Sequence, residues 1–253
     1  MSAKARIRSE TRDGGIALVT LDRPRANAID SALVDELHAA VRKTAGARAL
    51  VLASSQPLFS AGWDLPAIRG RSREEMGAFV SQFCDLIREI FSFEAPVLAA
   101  LPGHAIAGGL ILAATADERL AADGDGLFGL SEVPLGVPLP RPIFELFRHL
   151  LGTRGAERLA AAGDNVSAAR ALEMGLVDRV VAAEDLLEAT IDRARQLSGR
   201  SRSAYAAVKL EARGEALERF DRARRDDPFL DFWFSEEAQT RIAALVDRLT
   251  KKS

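Results

Sequence analysis

Residues 96–114 have the sequence PVLAALPGHAIAGGLILAA, and this stretch decides the fold. The apolar run from Pro96 to Leu101 is typical of a strand that is covered on both faces. Small residues follow from Gly103 to Gly109, and the apolar run over 109–114 predicts a buried helix. A strand, a loop and a helix therefore follow one another within this one stretch.

The same order of segments occurs once earlier in the chain. The apolar run Ala49–Ala53 predicts a buried strand, and a second loop of small residues, Phe59–Leu65, follows it with the sequence FSAGWDL. Residues 73–92 then have the apolar period of a helix. The two units are about forty residues apart, which indicates a repeated winding of strands and helices, and hence an α/β fold.

Weaker patterns complete the expected secondary structure. We predict a hairpin at 5–10 and 16–21, strands near 119–122 and 177–181, and helices at about 30–45, 141–151, 154–161, 167–174, 184–198, 202–224 and 236–250. The helices dominate the end of the chain. We therefore divide the chain into a core of residues 1–195 and a helical C-terminal region of residues 196–253.

Composition narrows the class of protein and its partners. The 253 residues carry a net charge of −2, so we expect no nucleic-acid partner. The one cysteine, Cys84, excludes an internal disulfide and suits a reducing compartment. No apolar run approaches the roughly 20 residues of a membrane span, and no signal peptide is visible. We expect a cytoplasmic protein that has no membrane partner, and no metal, because the three histidines lack metal-ligand spacing.

The two loops of small residues suggest a common chemistry. Each follows a buried strand and can direct a backbone N–H group at a ligand. Two such groups directed at one oxygen atom stabilise the negative charge that develops on it during a reaction. Gly62 and Gly108 would also allow close approach of a ligand, because neither has a Cβ atom.

Five segments, in order along the chain, resemble the crotonase (enoyl-CoA hydratase/isomerase) superfamily. The segments are residues 21–29, 59–65, 103–117, 128–136 and 168–178. The resemblance implies a spiral of repeated ββα units with a helical C-terminal trimerisation region. It implies an acyl-CoA thioester as substrate, with coenzyme A entering as part of that substrate and no separate cofactor. It also implies a homotrimer or a dimer of trimers.

The resemblance assigns the binding residues by position. The two N–H donors fall on Trp63 and Gly108. Substrate contacts are expected at Arg25, Ala26, Ala28, Ala61, Gly62, Asp64, Leu65, His104, Gly109 and Ile111. Three of these have alternatives, since Asp64 can cap a helix, His104 can be a hydrogen-bonded packing residue and Arg25 can be an exposed loop cation. Trp63 is bulkier than the alanine or phenylalanine often found there, which changes the acyl pocket.

The acid/base residues depart from the hydratase pattern. Hydratases of this family use two glutamates; one matches Glu132, but the other falls on Ile111, which cannot transfer a proton. One carboxylate is enough to shift a double bond, since it can remove a proton at C2 and return it at C4. The pattern therefore resembles a single-glutamate Δ3,Δ2-enoyl-CoA isomerase. Apolar neighbours should bury Glu132 and raise its pKa, and Glu145 is a second candidate acid.

Three alternatives to the isomerase remain open. A hydratase, or another lyase or hydrolase of the same family, would need Glu145 or a bound water in place of the missing carboxylate. A silent acyl-CoA-binding subunit would keep the N–H donors without turnover. A serine hydrolase using Ser60 lacks an evident His/Asp partner set. Finally, Phe220, Phe229, Phe232, Trp233 and Phe234 look exposed, which we interpret as a surface for self-association.

Overall fold

The computed structural model describes residues 6–24 and 26–251. Its strands are β1 (Ile7–Arg12), β2 (Ile16–Leu21), β3 (Ala49–Ser54), β4 (Val97–Leu101), β5 (Ala105–Ile106), β6 (Glu118–Ala122), β7 (Leu127–Gly129), β8 (Asn165–Ser167) and β9 (Arg179–Val181). Its helices are α1 (Ser31–Lys43), α2 (Leu65–Ile68), α3 (Arg73–Phe91), α4 (Gly108–Ala114), α5 (Arg141–Ala162), α6 (Ala168–Met174), α7 (Leu186–Ser198), α8 (Arg202–Ala223), α9 (Phe229–Trp233) and α10 (Glu236–Lys251).

Two sheets organise the core. The larger has the order β1-β2-β3-β4-β6-β9, and only its β1–β2 pair is antiparallel. Helices cover the parallel strands, which explains why β3 and β4 are apolar along their length and almost wholly buried. The smaller sheet has the order β5-β7-β8 and lies beside the loops that leave β3 and β4. The α/β architecture predicted from the sequence is confirmed.

The long helices begin and end close to the predicted residues, because their caps are explicit in the sequence. Asp30 caps α1 by accepting a hydrogen bond from the Leu33 N–H, and Ser72 and Glu75 form a capping box at the start of α3. Gly152, with φ of +68°, interrupts α5 and separates the two helices predicted there. Within the described residues, no helix is both long and apolar enough to cross a membrane.

The short elements were not predicted. Strands β5, β7 and β8 have two or three residues each, and helices α2 and α9 have four and five. Such segments are too short to show a period of either 2 or 3.6 residues. Their positions depend on contacts with distant parts of the chain, and these elements build much of the site described below.

A buried ionic cluster fastens the C-terminal helices to the core. Asp117, just before β6, lies 2.9 Å from the Lys209 ammonium and 2.7 Å from the Arg213 guanidinium of α8. Removing one partner from such a cluster would leave a buried charge without compensation. The division of the chain at residue 195 stays a prediction; that residue lies inside α7, and the C-terminal region proper begins with α8.

The aromatic residues of the C-terminal region correct one expectation. Phe220, Phe229 and Trp233 are only 2%, 2% and 1% exposed, because they pack inside their own chain. The Trp233 ring centroid lies 6.2 Å from that of Trp63. Phe232 alone of the large aromatic side chains there is openly exposed, at 49%. These rings therefore build the core of the monomer, and the homotrimer stays a prediction that rests on the resemblance.

Candidate active site

The two loops predicted from the sequence lie against each other. We call Phe59–Leu65 the first loop and Gly103–Gly109 the second loop. Ser60 forms a parallel bridge with Ala105, and the Ile106 N–H donates to Ser60 O at 3.0 Å. Gly62 has a φ of +87°, and a Cβ atom there would lie 2.8 Å from Ile106 O. Glycine is therefore required at this contact, and the two loops form one surface.

Backbone hydrogen bonds leave one N–H of the first loop available. The Ala61 N–H donates to Ala26 O at 3.0 Å, and the Gly62 N–H donates to the Ser60 hydroxyl oxygen at 3.1 Å. The Asp64 N–H donates to Ile29 O at 2.9 Å. Between them, the Trp63 N–H has no acceptor among the described residues. A backbone donor without a partner beside a cavity is suited to binding a ligand oxygen.

The second loop presents its available donor at the start of α4. Ala107 precedes this helix with φ of +48° and ψ of −120°, a conformation that residues with a side chain rarely adopt. The Ala107 N–H donates to Gly129 O at 2.8 Å, which holds the strained peptide in place. The Gly108 N–H is the first of the helix and has no acceptor among the described residues.

Strand β7 brings Glu132 to these loops. It pairs with β5 in parallel, with Ala105 opposite Phe128. Glu132 follows this strand and precedes a single 3₁₀ turn, Val133–Leu135. Its carbonyl oxygen accepts hydrogen bonds from the Leu135 N–H at 2.9 Å and the Val137 N–H at 3.2 Å, so the backbone position of the glutamate is fixed.

The Glu132 carboxyl group is poorly solvated. Its Oε2 atom is buried and has no hydrogen-bond partner among the described residues. Burial raises the pKa of Glu132 from 4.5 to about 7, against the opposing effect of the Glu132 and Ser131 backbone N–H groups. The direction of this shift agrees with the prediction from its apolar neighbours, and a carboxyl group with such a pKa can both accept and return a proton near neutral pH.

A cavity of about 840 Å³ contains these groups. Of the predicted site residues, it is lined by Ala26, Ala28, Ala61, Trp63, Asp64, Leu65, Gly108, Ile111 and Glu132. Ile111 is 2% exposed and contributes an apolar wall where a hydratase of this family would have a second glutamate. The sequence therefore predicted most of one wall of the cavity.

Three predicted contacts do not line the cavity. His104 is turned away from it, since its Nδ1 atom accepts a hydrogen bond from the Leu127 N–H at 2.9 Å, and it is a packing residue. Gly62 and Gly109 instead allow the loops to pack, because a Cβ atom on Gly109 would clash with Ser60 O. Arg25 lies outside the described residues.

Two carboxylates have structural partners. Asp64 caps α2 by accepting the Ala67 N–H at 3.2 Å, and its Oδ2 atom lies 2.6 Å from Arg23 Nη2. The capping alternative is therefore realised, although Asp64 also lines the cavity. Glu145 is not the second acid, because it borders a separate cavity of about 480 Å³ and pairs with Arg148 and Arg219, each at 3.0 Å.

Ser60 cannot act as a hydrolase nucleophile in this arrangement. It is fully buried, its hydroxyl group donates to Asn27 O at 2.8 Å, and the same oxygen accepts the Gly62 N–H. It does not line the cavity. The serine-hydrolase alternative is thus contradicted by the position of the side chain.

The C-terminal part of the cavity lining was not predicted from the sequence. It contains Phe229, Trp233, Leu245, Leu249 and Thr250. The aromatic pair of α9 was visible in the sequence, and only its location was interpreted wrongly. Arg23 was also not predicted as a site residue, although it lies within residues 21–29, the first of the five segments that carry the resemblance.

The comparisons with known proteins agree with the geometry of the site. A family model described as enoyl-CoA hydratase/isomerase matches residues 11–228. Carnitinyl-CoA dehydratase of Salmonella typhi is 36% identical over 204 residues, which cover 79% of this chain and 77% of the relative.

Solved structures match over almost the whole chain. Human mitochondrial Δ3-Δ2-enoyl-CoA isomerase has a TM-score of 0.92 and 26% identity, covering 98% of this chain and 100% of that one. An enoyl-CoA hydratase/isomerase from Xanthobacter autotrophicus Py2 has a TM-score of 0.84 and 26% identity, covering 96% of this chain and 93% of that one. The chain therefore belongs to the enoyl-CoA hydratase/isomerase family of the crotonase superfamily, and it is an acyl-CoA-processing enzyme of that family.

Proposed function

We propose that the enzyme shifts a double bond in an enoyl-CoA from the Δ3 to the Δ2 position, with Glu132 as its single proton shuttle. The thioester oxygen accepts hydrogen bonds from the Trp63 and Gly108 N–H groups. The Glu132 carboxylate removes a proton from C2, and the electron pair of that C–H bond spreads over a dienolate. The same carboxyl group returns the proton at C4, so the double bond moves and no atom is gained or lost.

The observation that carries this proposal is the inventory of carboxylates at the cavity. Among the described residues that line it, only Asp64 and Glu132 have carboxyl groups. Asp64 is held by Arg23 and by its helix cap, which leaves Glu132 to exchange protons. Ile111, close to the Gly108 donor, offers no second acid. One free carboxyl group is sufficient for a 1,3-proton transfer but not for the paired acid and base of a hydration.

The match to human mitochondrial Δ3-Δ2-enoyl-CoA isomerase supports the same reaction, since its fold extends over nearly the whole of this chain. The raised pKa of Glu132 also suits a group that holds a proton between two steps. The two N–H donors carry the electrostatic part of catalysis, and loss of one such donor typically costs on the order of 10²–10³ in rate.

A second candidate is a hydratase or dehydratase. The observation that favours it is the 36% identity to carnitinyl-CoA dehydratase, which exceeds the identity to the human isomerase. Such a reaction would need a second group to activate or release water. Because Glu145 lies outside the cavity, a second bound water, held by backbone atoms, would have to take the place of the missing carboxyl group.

Paired assays test the proposal. Purified enzyme is offered a 3-enoyl-CoA and a 2-enoyl-CoA of the same chain length, and a Glu132→Gln variant is assayed alongside. We expect isomerisation of the 3-enoyl ester by the wild-type enzyme and its loss in the variant. Hydration of the 2-enoyl ester at an equal or higher rate would favour the second candidate. Tight binding of both esters without turnover would indicate a silent acyl-CoA-binding subunit.

A further inference from the structure

Arg23 joins two parts of the site through its guanidinium group. Its side chain is 17% exposed, and Nη2 lies 2.6 Å from Asp64 and 3.0 Å from Asp30. Its Nη1 atom donates to the Ala28 carbonyl oxygen. Charge-assisted bonds of this kind are stronger and more directional than neutral ones. Arg23 thus ties the segment before α1 to the residue that directly follows Trp63.

The backbone of that segment also holds the first loop. We call Arg23, Pro24 and residues 26–30 the anchor segment. Ala26 O accepts a hydrogen bond from the Ala61 N–H, and Ile29 O accepts one from the Asp64 N–H. The Ile29 N–H in turn donates to Gly62 O at 2.8 Å. The peptide that bears the Trp63 N–H is therefore held on both sides by the anchor segment.

The anchor segment is strained where it meets the loop. Ala26 and Asn27 have φ values of +69° and +47°, in the left-handed region that residues with a side chain seldom occupy. Asn27 is fully buried, and its Nδ2 atom donates to Ser54 Oγ at 2.8 Å and to Phe59 O at 2.9 Å. Its Oδ1 atom accepts the Arg23 N–H at 2.9 Å. Surrounding bonds that hold strained residues in this way are frequent at ligand-binding sites.

We propose that Arg23 is a positioning residue, which fixes the Trp63 N–H in the direction needed to stabilise a thioester enolate. Its action is indirect: the guanidinium holds Asp64, and Asp64 and the anchor segment hold the peptide between Gly62 and Trp63. This inference rests on the proposed enolate chemistry. It is independent of whether the double bond is then shifted or hydrated.

Acetoacetyl-CoA is a probe that reports the enolate without turnover. A β-keto thioester enolises, and its enolate absorbs in the near ultraviolet, so the enolised fraction of bound probe can be measured directly. We expect Arg23→Met to lower the enolised fraction and kcat by about tenfold with KM changed less than about threefold, because a small displacement of one donor is costly in the transition state. Arg23→Lys should recover part of the loss.

Arg193→Met is the matched control. Arg193 is 22% exposed and pairs with Glu118 at 2.5 Å, so its removal also breaks a largely buried ion pair, away from the cavity. We expect this variant to keep the wild-type enolised fraction. If Arg23→Met folds poorly, Asp64→Asn removes the same ion pair and retains a side-chain oxygen to cap α2.

Each result supports or overturns the inference. A wild-type enolised fraction and kcat in both Arg23→Met and Asp64→Asn would overturn it. A rise in KM with unchanged kcat would also overturn it, since Arg23 would then bind substrate directly. If wild-type protein produces no enolate, both the inference and the proposed function fail. If it produces the enolate but does not isomerise a 3-enoyl-CoA, only the proposed function fails.

Discussion

The titration of Glu132 gives the sharpest prediction, because activity and stability should change with pH in opposite directions. As a base, Glu132 must be ionised, so kcat/KM should rise with pH through its pKa of about 7. Because the carboxyl group is buried, its ionisation should lower the free energy of unfolding. Replacement by glutamine removes both effects, because the amide has a similar shape and does not ionise.

The magnitude of the activity change follows from that pKa. With a pKa of about 7, roughly one tenth of the carboxyl groups are ionised at pH 6 and roughly nine tenths at pH 8. We therefore expect kcat/KM to rise about tenfold across this interval. A glutamate with the ordinary value of 4.5 would be almost fully ionised at both pH values, and the profile would be nearly flat.

The stability effect has the opposite sign. A carboxyl group whose pKa is higher in the folded than in the unfolded state stabilises the fold while it is protonated. That contribution is complete below about pH 4.5 and is lost as the pH rises through about 7. The difference between 4.5 and 7 corresponds to about 3 kcal/mol. Glu132→Gln should therefore be more stable than wild type at pH 8, by up to this amount, and should gain much less at pH 5.

The measurements are kcat/KM and urea unfolding between pH 5 and 9, both made on wild type, Glu132→Gln and Glu145→Gln. Glu145 is a buried, ion-paired carboxylate outside the cavity, so its variant should lose stability and keep the ascending limb of the activity profile. A wild-type profile that is flat from pH 6 to 8, or a Glu132→Gln variant that is less stable than wild type at pH 8, would refute the reasoning.

Three further predictions concern the same site. Ile111→Glu should raise hydration of a 2-enoyl-CoA at least about tenfold over wild type, because it supplies the missing second carboxyl group; a rate that stays at the wild-type level would contradict the role given to this position. Gly62→Ala should lower Tm and activity together, since its φ is +87° and a Cβ atom would lie 2.8 Å from a backbone oxygen, whereas Gly70→Ala, with open space around it, should change neither. A 3-enoyl-CoA deuterated at C2 should transfer part of its label to C4 in ordinary water, because Glu132 Oε2 is buried from solvent; a product with no label at C4 after a single turnover, measured by mass spectrometry, would exclude a retained proton.

The part of the cavity formed by the two loops could be predicted because its contacts are local. Each loop follows a buried strand, and its small residues are required by contacts within the loop pair. A Cβ atom on Gly62 would meet the Ile106 carbonyl oxygen, and one on Gly108 would meet the Trp63 ring, so single glycines in the sequence reveal these close contacts. The helix that begins at Gly108 and the apolar surroundings of Glu132 were likewise visible in short windows of sequence.

The rest of the site depends on contacts between distant residues. Glu145 is on the predicted helix, but the direction of its side chain is set by Arg219, which lies 74 residues later in the sequence. Phe229 and Trp233 were predicted to be exposed because no periodic helix surrounds them, yet both rings pack against the Trp63 ring beside the cavity. The link between Arg23 and Asp64 spans 41 residues and has no local signature.

Under the proposed function, burial of Glu132 and the apolar residue at 111 together account for a preference for isomerisation over hydration. Hydration requires a water molecule held between two polar groups, so a wall formed by Ile111 removes one of its supports. Proton transfer within the substrate requires only that the carboxyl group keep its proton between C2 and C4. Exclusion of solvent from Glu132 Oε2 slows exchange of that proton, and a pKa of about 7 makes the carboxylate a stronger base toward the C2 proton than an ordinary carboxylate would be. If the proposed function holds, the same loss of solvation that costs stability therefore favours isomerisation over hydration.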